Sequence, residues 1–388
     1  MRIVHTSDWH AGRIWKGVNR LDELEKVLEH LADYIERDAV DLLLHSGDVF
    51  DSGAPVAEAE RLVFRFFKRV GHAGVPTVVI AGNHDSPARV EAWGALAELA
   101  DVRALHKPRR AAQGGCLAIA TRSGEGARVA AVPFAAPRVF VSALELAGDD
   151  AGARQRYAEG LRLMVADVCT GFAPDTVNLL MLHTHLEGAL FSGSERRVHL
   201  GDEWAGTPQS LPADAHYIAL GHIHKPQPLP SAPAPAAYAG SPLQLDFGEA
   251  GEEKSFVVIE ARPRQPAQVA RIPYQGGRPL VKVRHTLGEI ERDAARLAAS
   301  GWLHVTVPLT LGDPDLASKV RRLLPNAVRI EPELPSVSRA DPGAAQPARG
   351  TPPAELFAAY HLREHGRPPE PALLDAFEHL RQDEEREE

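Results

Sequence analysis

Residues 42–51, LLLHSGDVFD, begin as an apolar run and stop abruptly at a glycine and one carboxylate, Asp48. A short apolar run bounded by Gly predicts a buried strand, and in α/β proteins ligands gather outside the carboxyl ends of such strands. Asp48 therefore falls where chemistry is usually done. A carboxylate has two oxygens and can hold two cations at once, so the question is whether the rest of the chain supplies ligands for two metals.

Working outward, the same arrangement recurs. Residues 2–10, RIVHTSDWH, read as a strand followed by Asp8 and His10, which point the same way if the chain stays extended. Leu21, Leu24, Leu28, Leu31 and Ile35 recur at three and four residue spacing, the stripe of a helix packed on a sheet, and lead into the Asp48 strand. A second helix is predicted over 56–72, then a strand over 77–81 that delivers Asn83, His84 and Asp85, and a helix over 90–99 after Pro87. The spacing predicts strands at 116–120 and 128–134 and a helix at 154–169. A further strand, 177–182, ends at His183 with His185 two residues on, and another, 217–220, ends at His222 and His224. Pro and Ala dominate the predicted loop 226–235, and strands are expected at 255–260 and 269–272.

These readings make a layered α/β domain over 1–275. Beyond it, strands at 280–284, 303–308 and 328–330 alternate with helices at 287–299 and 315–324, predicting a small α/β unit over 276–334. A Pro-rich stretch, 335–353, reads as an extended linker. The segment 354–388 carries two short amphipathic runs, one with Leu356, Phe357 and Tyr360 and one with Leu373, Leu374, Phe377 and Leu380, before an acidic end at 383–388.

At 388 residues, 44% of them apolar, the chain suits two or three globular domains. A formal net charge of -9 argues against coating nucleic acid by bulk electrostatics, while leaving open a local basic surface or a metal-borne one. The two cysteines, Cys116 and Cys169, form no CxxC and suggest neither a disulfide framework nor a thiolate zinc site, in keeping with a cytoplasmic protein. No basic leader and no run of about 18 apolar residues is found, so neither export nor membrane insertion is expected.

Asp8, His10, Asp48, Asn83, His183, His222 and His224 form a set of oxygen and imidazole donors without a thiolate, suited to manganese, iron or zinc better than to calcium. Two carboxylates contribute about -2 against roughly +4 from two divalent ions, leaving a site positive enough to bind phosphate and acidify a bridging water. Asn83 supplies a neutral oxygen that cancels no further charge. His84 stands as an acid or electrostatic partner for the leaving oxygen. Each residue alone is unremarkable. The ordered combination DxH, GD, GNHD, a later His and GHxH, each at a strand end, is what points to a site. His5 and His45 read as strand residues, His185 as structural, and Asp51 and Asp85 as turn residues or as groups that orient neighbouring ligands.

In this order the motifs resemble the calcineurin-like metallophosphoesterase superfamily. HTSDWHAGR, SGDVFDSG, AGNHDSPARV, SGSER at 192–196, ALGHIH and AGSPLQLDFGEAGEEK together resemble, more narrowly, the SbcD family, the nuclease subunit of the bacterial SbcCD DNA repair complex. The likeness is strong to about residue 260 and architectural beyond it. It implies a four-layer αββα sandwich with a small DNA-binding α/β cap and a C-terminal helical tail. It further implies that Asp8, His10, Asp48 and His224 bind one manganese, that Asp48, Asn83, His183 and His222 bind the other, and that His84 is catalytic. The implied activities are 3′ to 5′ exonuclease action on duplex ends and endonuclease action on single strands and hairpins, in DNA repair, recombination and replication. Because no GxxxxGK[ST] loop is present, ATP dependence would come from an SbcC-type ATPase partner, docked by the C-terminal helices, in a heterotetramer built on a homodimer and gathered at the nucleoid on DNA. A competing expectation is a calcineurin-like phosphatase acting on a small molecule or phosphoprotein with the same metal core. A non-catalytic scaffold would have no use for seven donors beside a catalytic-type histidine.

Overall fold

The computed structural model describes residues 1–140, 150–195, 205–334 and 352–378. The strands of its two large sheets, in chain order, are β1 (Arg2–Thr6), β2 (Leu42–His45), β3 (Thr77–Ile80), β4 (Val102–Leu105), β5 (Cys116–Ala120), β6 (Gly126–Val132), β7 (Val177–His183), β8 (Tyr217–Gly221), β9 (Gln227–Pro228), β10 (Ala236–Tyr238), β11 (Ser255–Arg262) and β12 (Gln265–Pro273). They build two six-stranded mixed sheets, ordered β12-β11-β1-β2-β3-β4 and β9-β10-β8-β7-β6-β5. Strands β1 to β4 run parallel, as do β6, β7, β8 and β10, and the remaining four pair antiparallel at the edges.

Side chains alternate across a strand, and here both faces of each sheet are apolar. Ile3, Leu42, Leu44, Val78, Ile80, Leu179 and Met181 meet between the sheets. Their neighbours Val4, Leu43 and Val79 face outward onto Leu24, Leu28, Leu31, Phe66 and Phe67 of the helices α1 (Leu21–Arg37) and α2 (Ala57–His72). On the far side, Leu180, Leu182, Ile218 and Leu220 pack against Tyr157, Leu161 and Val165. Those three lie in a later helix, Asp150–Cys169. Three apolar layers between four layers of structure are the αββα sandwich.

Two expectations need correction. The third helix, α3, spans Pro87–Ala97 and starts on the proline instead of after it, because the first helical position has no use for the missing N–H. The stretch read as a plain loop, 226–235, contains β9 and leads straight into β10. Three residues, AAY, are too short to carry a periodic signal, yet they pair in parallel with β8.

Past β12, strands β13 (Leu280–Arg284), β14 (Trp302–Pro308) and β15 (Ala327–Glu333) form a parallel three-stranded sheet. Helices Leu287–Ala298 and Leu316–Leu323 pack on it through Ile290, Leu297, Leu316 and Val320. Trp15, Phe247 and Leu280, with Trp302, make a small apolar cluster at its base. Beside that cluster the buried Glu23 accepts hydrogen bonds from Arg20 (2.9 Å), Trp302 Nε1 (2.7 Å) and the Arg278 backbone N–H (2.9 Å). The start of α1 is thereby tied to the start of the small sheet by a fully partnered carboxylate.

The chain divides into two compact units, Met1–Glu333 and Leu334–Glu388. In the second, the helix Pro353–His365 ends at Gly366, whose φ of 70° supplies the left-handed turn, and residues 371–378 are helical. Phe357 and Phe377 stack with ring centres 4.4 Å apart, while Leu356, Tyr360, Leu362 and Leu373 are exposed. The expected linker, except for 352–353, and the acidic end lie outside the described residues, as does Arg196 of the SGSER run. No described helix is long and apolar enough to cross a membrane.

Candidate metal centre

Strands β1, β2, β3, β7 and β8 end at one edge of the sandwich, and each hands its next residues to the same cleft. The β1 and β2 loops continue side by side past the sheet: Asp8 N–H donates to Gly47 O (2.9 Å), His10 N–H to Asp48 O (3.1 Å) and Ala11 N–H to Val49 O (3.0 Å). Four of the candidate ligands take left-handed backbone there: Asp8 (φ 52°), His10 (45°), Asp48 (54°) and His222 (96°). Side chains rarely tolerate this region, and its concentration at one cleft marks a functional site.

Asp8, His10, Asp48, His183, His222 and His224 are all buried, and Asn83 and His84 are half-buried. Asp48 Oδ1 accepts the His84 backbone N–H at 2.8 Å, so its orientation is fixed from the β3 loop. Its Oδ2 lies between two imidazoles, 3.7 Å from His10 Nε2 and 3.5 Å from His183 Nε2. Asn83 Oδ1 is 2.9 Å from His183 Nε2 and 2.8 Å from His222 Nδ1. On the other side His10 Nε2 and His224 Nε2 are 3.1 Å apart, and Asp8 receives the His222 backbone N–H at 3.1 Å. Three overlapping trios, Asp8–His10–His224, His10–Asp48–His84 and Asp8–Asp48–His183, have donor atoms mutually within 4.8 Å.

The donor chemistry fits cations. His183 Nδ1 is committed to the Ser46 carbonyl at 2.7 Å, so it carries a proton, and Nε2 of a neutral ring must be a lone pair. That lone pair faces Asn83 Oδ1 and Asp48 Oδ2, which are also acceptors. Acceptors aimed at one another repel unless a proton or a metal ion lies among them. The electrostatics of the cluster make the same demand: burial alone would push His183 down, but Asp48 and Asp8 outweigh it and raise it to about 9. Burial pushes Asp8 up to about 6. For Asp48 burial acts upward too, yet His183, His10 and His84 hold it well below the usual carboxylate range. The sandwich thus holds a cluster of Asp and His suited to binding metal ions.

The surrounding groups fix these ligands. Asp85 accepts backbone N–H bonds from Gly82 (2.9 Å), Phe50 (3.1 Å) and Val49 (3.2 Å), which staples the β2 loop to the β3 loop. Asp51 places Oδ1 3.3 Å from His10 Nδ1, and its carbonyl accepts from His84 Nδ1 at 2.7 Å. His5 and His45 do lie in strands. His5 bridges Tyr217 OH (2.9 Å) and Ser46 Oγ (2.8 Å), and burial pushes it down to about 3. His185 packs edge-on to Phe191 at 4.6 Å. Sequence reasoning assigned no role to Ser194, Glu195, Glu249 and Lys254, which surround His224. Their only signal was the pair of unassigned motifs SGSER and GEAGEEK.

The profile of the calcineurin-like phosphoesterase family matches residues 1–226. A relative from Bacillus subtilis (strain 168), named as the SbcD component of the nuclease SbcCD, is 34% identical over 284 residues, 73% of this chain and 72% of its own. The protein of that name from Rhodobacter capsulatus is 30% identical over 384 residues, 92% of this chain and 94% of its own. Its counterpart in Escherichia coli (strain K12) is 32% identical over 263 residues, 66% and 63% of the two chains.

Proposed function

Taking as premise that the chain belongs to the SbcD family of calcineurin-like phosphoesterases, and so is a metal-dependent phosphodiesterase, we propose that it is a DNA nuclease working with two manganese ions. The observation that carries the proposal is Asp48 Oδ2, flanked by His10 and His183 in the middle of a buried, acceptor-rich cluster at the sheet edge. Asp8, His10, Asp48 and His224 would hold one ion and Asp48, Asn83, His183 and His222 the other. When bound, two divalent ions supply positive charge that offsets the charge developing on the phosphoryl group and acidifies the attacking water.

The protein's own groups then have definite tasks. Asp48 turns one oxygen toward both halves of the cluster while the His84 backbone N–H immobilises the other. Asn83 adds an oxygen without adding negative charge, so the cleft stays attractive to a phosphodiester. With Nδ1–H held by the Asp51 carbonyl, His84 in its imidazolium form presents Nε2–H as the group that would give a proton or a hydrogen bond to the leaving oxygen. His10 lies edge-on to His84 at 4.6 Å and limits its rotation.

The three-stranded unit, 276–334, serves in this reading as the DNA-binding cap, and the C-terminal segment 354–388 as the docking surface for an SbcC-type ATPase. Support for docking is the presence of exposed apolar side chains on that segment, with Leu356 and Tyr360 one turn apart on one helix face and Leu362 and Leu373 elsewhere, of the kind that a partner's apolar groove covers. The activities proposed are exonuclease action from duplex 3′ ends and endonuclease action on single strands and hairpins, in a cytoplasmic, nucleoid-bound heterotetramer built on a homodimer. The deciding experiment incubates the purified chain and manganese with labelled duplex, hairpin DNA and a phosphate monoester, alongside His84→Ala. Cleavage of DNA that His84→Ala loses while keeping its metal supports the proposal. Activity confined to the monoester rejects it in favour of a phosphatase.

A further inference from the structure

His224 is gripped at every polar atom it has outside the cleft. Its backbone N–H donates to Glu195 Oε1 at 3.0 Å. The same carboxylate takes the N–H groups of Ser192 (2.9 Å) and Gly193 (2.8 Å) through its two oxygens and so shapes the loop that carries Ser194. The His224 carbonyl accepts from Lys254 Nζ at 2.9 Å and from the Ser241 backbone N–H at 3.0 Å. The ring nitrogen facing away from the cleft, Nδ1, lies 2.6 Å from Ser194 Oγ, which also contacts Glu249 Oε1. Glu249 is fully buried, and its second oxygen is 2.6 Å from Lys254 Nζ. These residues come from the two motifs, SGSER and GEAGEEK, that the metal cluster leaves without a role.

Proton counting along this chain has one solution. Glu249, paired with the Lys254 ammonium, is a carboxylate and can only accept, and it also takes the Leu245 backbone N–H at 3.0 Å. The contact between Ser194 and Glu249 must then use the single hydroxyl proton of the serine. Ser194 has none left for His224, so the imidazole must donate Nδ1–H to Ser194 Oγ. In the neutral ring His224 Nε2 is then the lone pair, and this is the atom that faces His10 Nε2 in the cleft.

We propose that Ser194, Glu249 and Lys254 form a relay that sets the tautomer of His224, so that its Nε2 is ready to bind a cation before any cation arrives. They are positioning residues, acting through His224 and not touching the substrate. A ligating imidazole commonly gives its second N–H to a carboxylate or carbonyl, which fixes the ring and raises its basicity. Here a hydroxyl is interposed, and Lys254 reaches both ends of the relay, binding the carboxylate and the His224 carbonyl. The arrangement also accounts for a lysine and a glutamate buried together. Their separate burial would be costly, and paired they serve one imidazole.

The inference rests on the assignment of His224 as a metal ligand, and the test separates the two. Metal-free chain labelled with 15N at histidine is examined by long-range proton–nitrogen correlation, with the His224 signals identified by their loss in His224→Gln. The parent protein is expected to show protonated Nδ1 and bare Nε2 at His224. Ser194→Ala should mix the tautomers, and Ser194→Thr, which keeps the hydroxyl, should restore the parent pattern. Manganese titration of the same proteins should show one of two sites weakened about 10- to 100-fold in Ser194→Ala, the usual effect of losing such a support. The other site should stay unchanged. A parent spectrum with protonated Nε2, or Ser194→Ala with parental tautomer and affinity, overturns the relay. Two intact sites in His224→Gln overturn the ligand assignment instead.

Discussion

Gly82 lies directly beneath Asp48, and Gly82→Ala should cripple the cleft without unfolding the protein. A Cβ at this position would stand 2.0 Å from Asp48 Oδ1 and 2.3 Å from the Asp48 backbone nitrogen. To restore an ordinary carbon–oxygen contact of about 3.3 Å, the carboxylate must recede by about 1.3 Å from its 2.0 Å position. The loops offer little slack. Asp48 already sits at φ 54°, its carbonyl holds His10 N–H, its Oδ1 holds His84 N–H, and Gly82 N–H is held by Asp85. Forcing one methyl into a packed place of this kind costs about 1–3 kcal/mol, which a domain with three apolar layers can bear. A displacement of about 1 Å in a catalytic group, by contrast, costs on the order of a hundredfold in rate. The expected result is a folded protein with phosphodiesterase activity down about 100-fold and affinity for both ions reduced together, because the displaced group is the one proposed to be shared by both. Hydrolysis of a chromogenic phosphodiester and manganese titration would measure it. Gly126→Ala, where the new Cβ would meet Thr176 Cγ2 at an ordinary 3.5 Å, serves as the control and should behave as the parent. Parental rate and two parental sites in Gly82→Ala would refute the placement of Asp48 at the centre of the cluster.

Three further outcomes follow from the same geometry. Asp48→Asn should weaken both manganese sites in calorimetric titration whereas His10→Ala should spare much of one, and equal loss of a single ion in both variants would contradict a shared ligand. Burial pushes Glu249 up, but the neighbouring His224 and the Lys254 charge outweigh it and bring it to about 2, below the ordinary 4.5. Its contribution to stability is therefore present above 4.5 and lost as the pH falls toward 2, so Glu249→Gln should flatten the acid limb of urea stability measured between about pH 5 and pH 3; an unchanged limb would show that Glu249 is not ionised in the native state. Deleting residues 350–388 should abolish co-purification with an SbcC-type ATPase yet leave manganese-dependent hydrolysis, and a retained complex would place docking elsewhere.

Three of the strands that carry the cleft were legible because they are buried on both faces and read as largely apolar runs with polar residues after them: LLLH, TVVI, VNLLML. Candidate ligands could be proposed at their ends because the chemistry demands few residue types in a fixed order. What the sequence could not show is how the side chains of five strand ends converge. Asp85 illustrates the limit. From its position it was as good a turn residue as an orienting one, and only its three bonds to Gly82, Phe50 and Val49 show that it fastens two loops together. Glu249 is further from reach still. It stands 25 residues after His224, in a one-turn helical segment Phe247–Glu249, and no periodicity distinguishes a buried glutamate from a solvated one.

The left-handed residues explain why the convergence needs a whole sandwich behind it. A strand side chain points up or down, so a strand that ended straight would aim its last residues into the core or over the outer helices, not across the edge. Turning Asp8, His10, Asp48 and His222 through positive φ swings them over the sheet ends toward one another, at about 1–3 kcal/mol for each non-glycine residue. Glycine would remove that strain but supplies no ligand, and at two of the four positions a glycine instead stands next to the ligand candidate: Gly47 before Asp48, Gly221 before His222. At Gly221 a Cβ would come within 2.1 Å of the Ser46 carbonyl, the acceptor that fixes His183 Nδ1. The same close approach of β2 and β8 thus forbids a side chain at 221 and sets the proton on His183. Strain at the ligands, missing side chains beside them and ring orientation are one packing solution, held by the loop-to-loop bonds of Asp8, His10 and Ala11 and anchored in the apolar layers below.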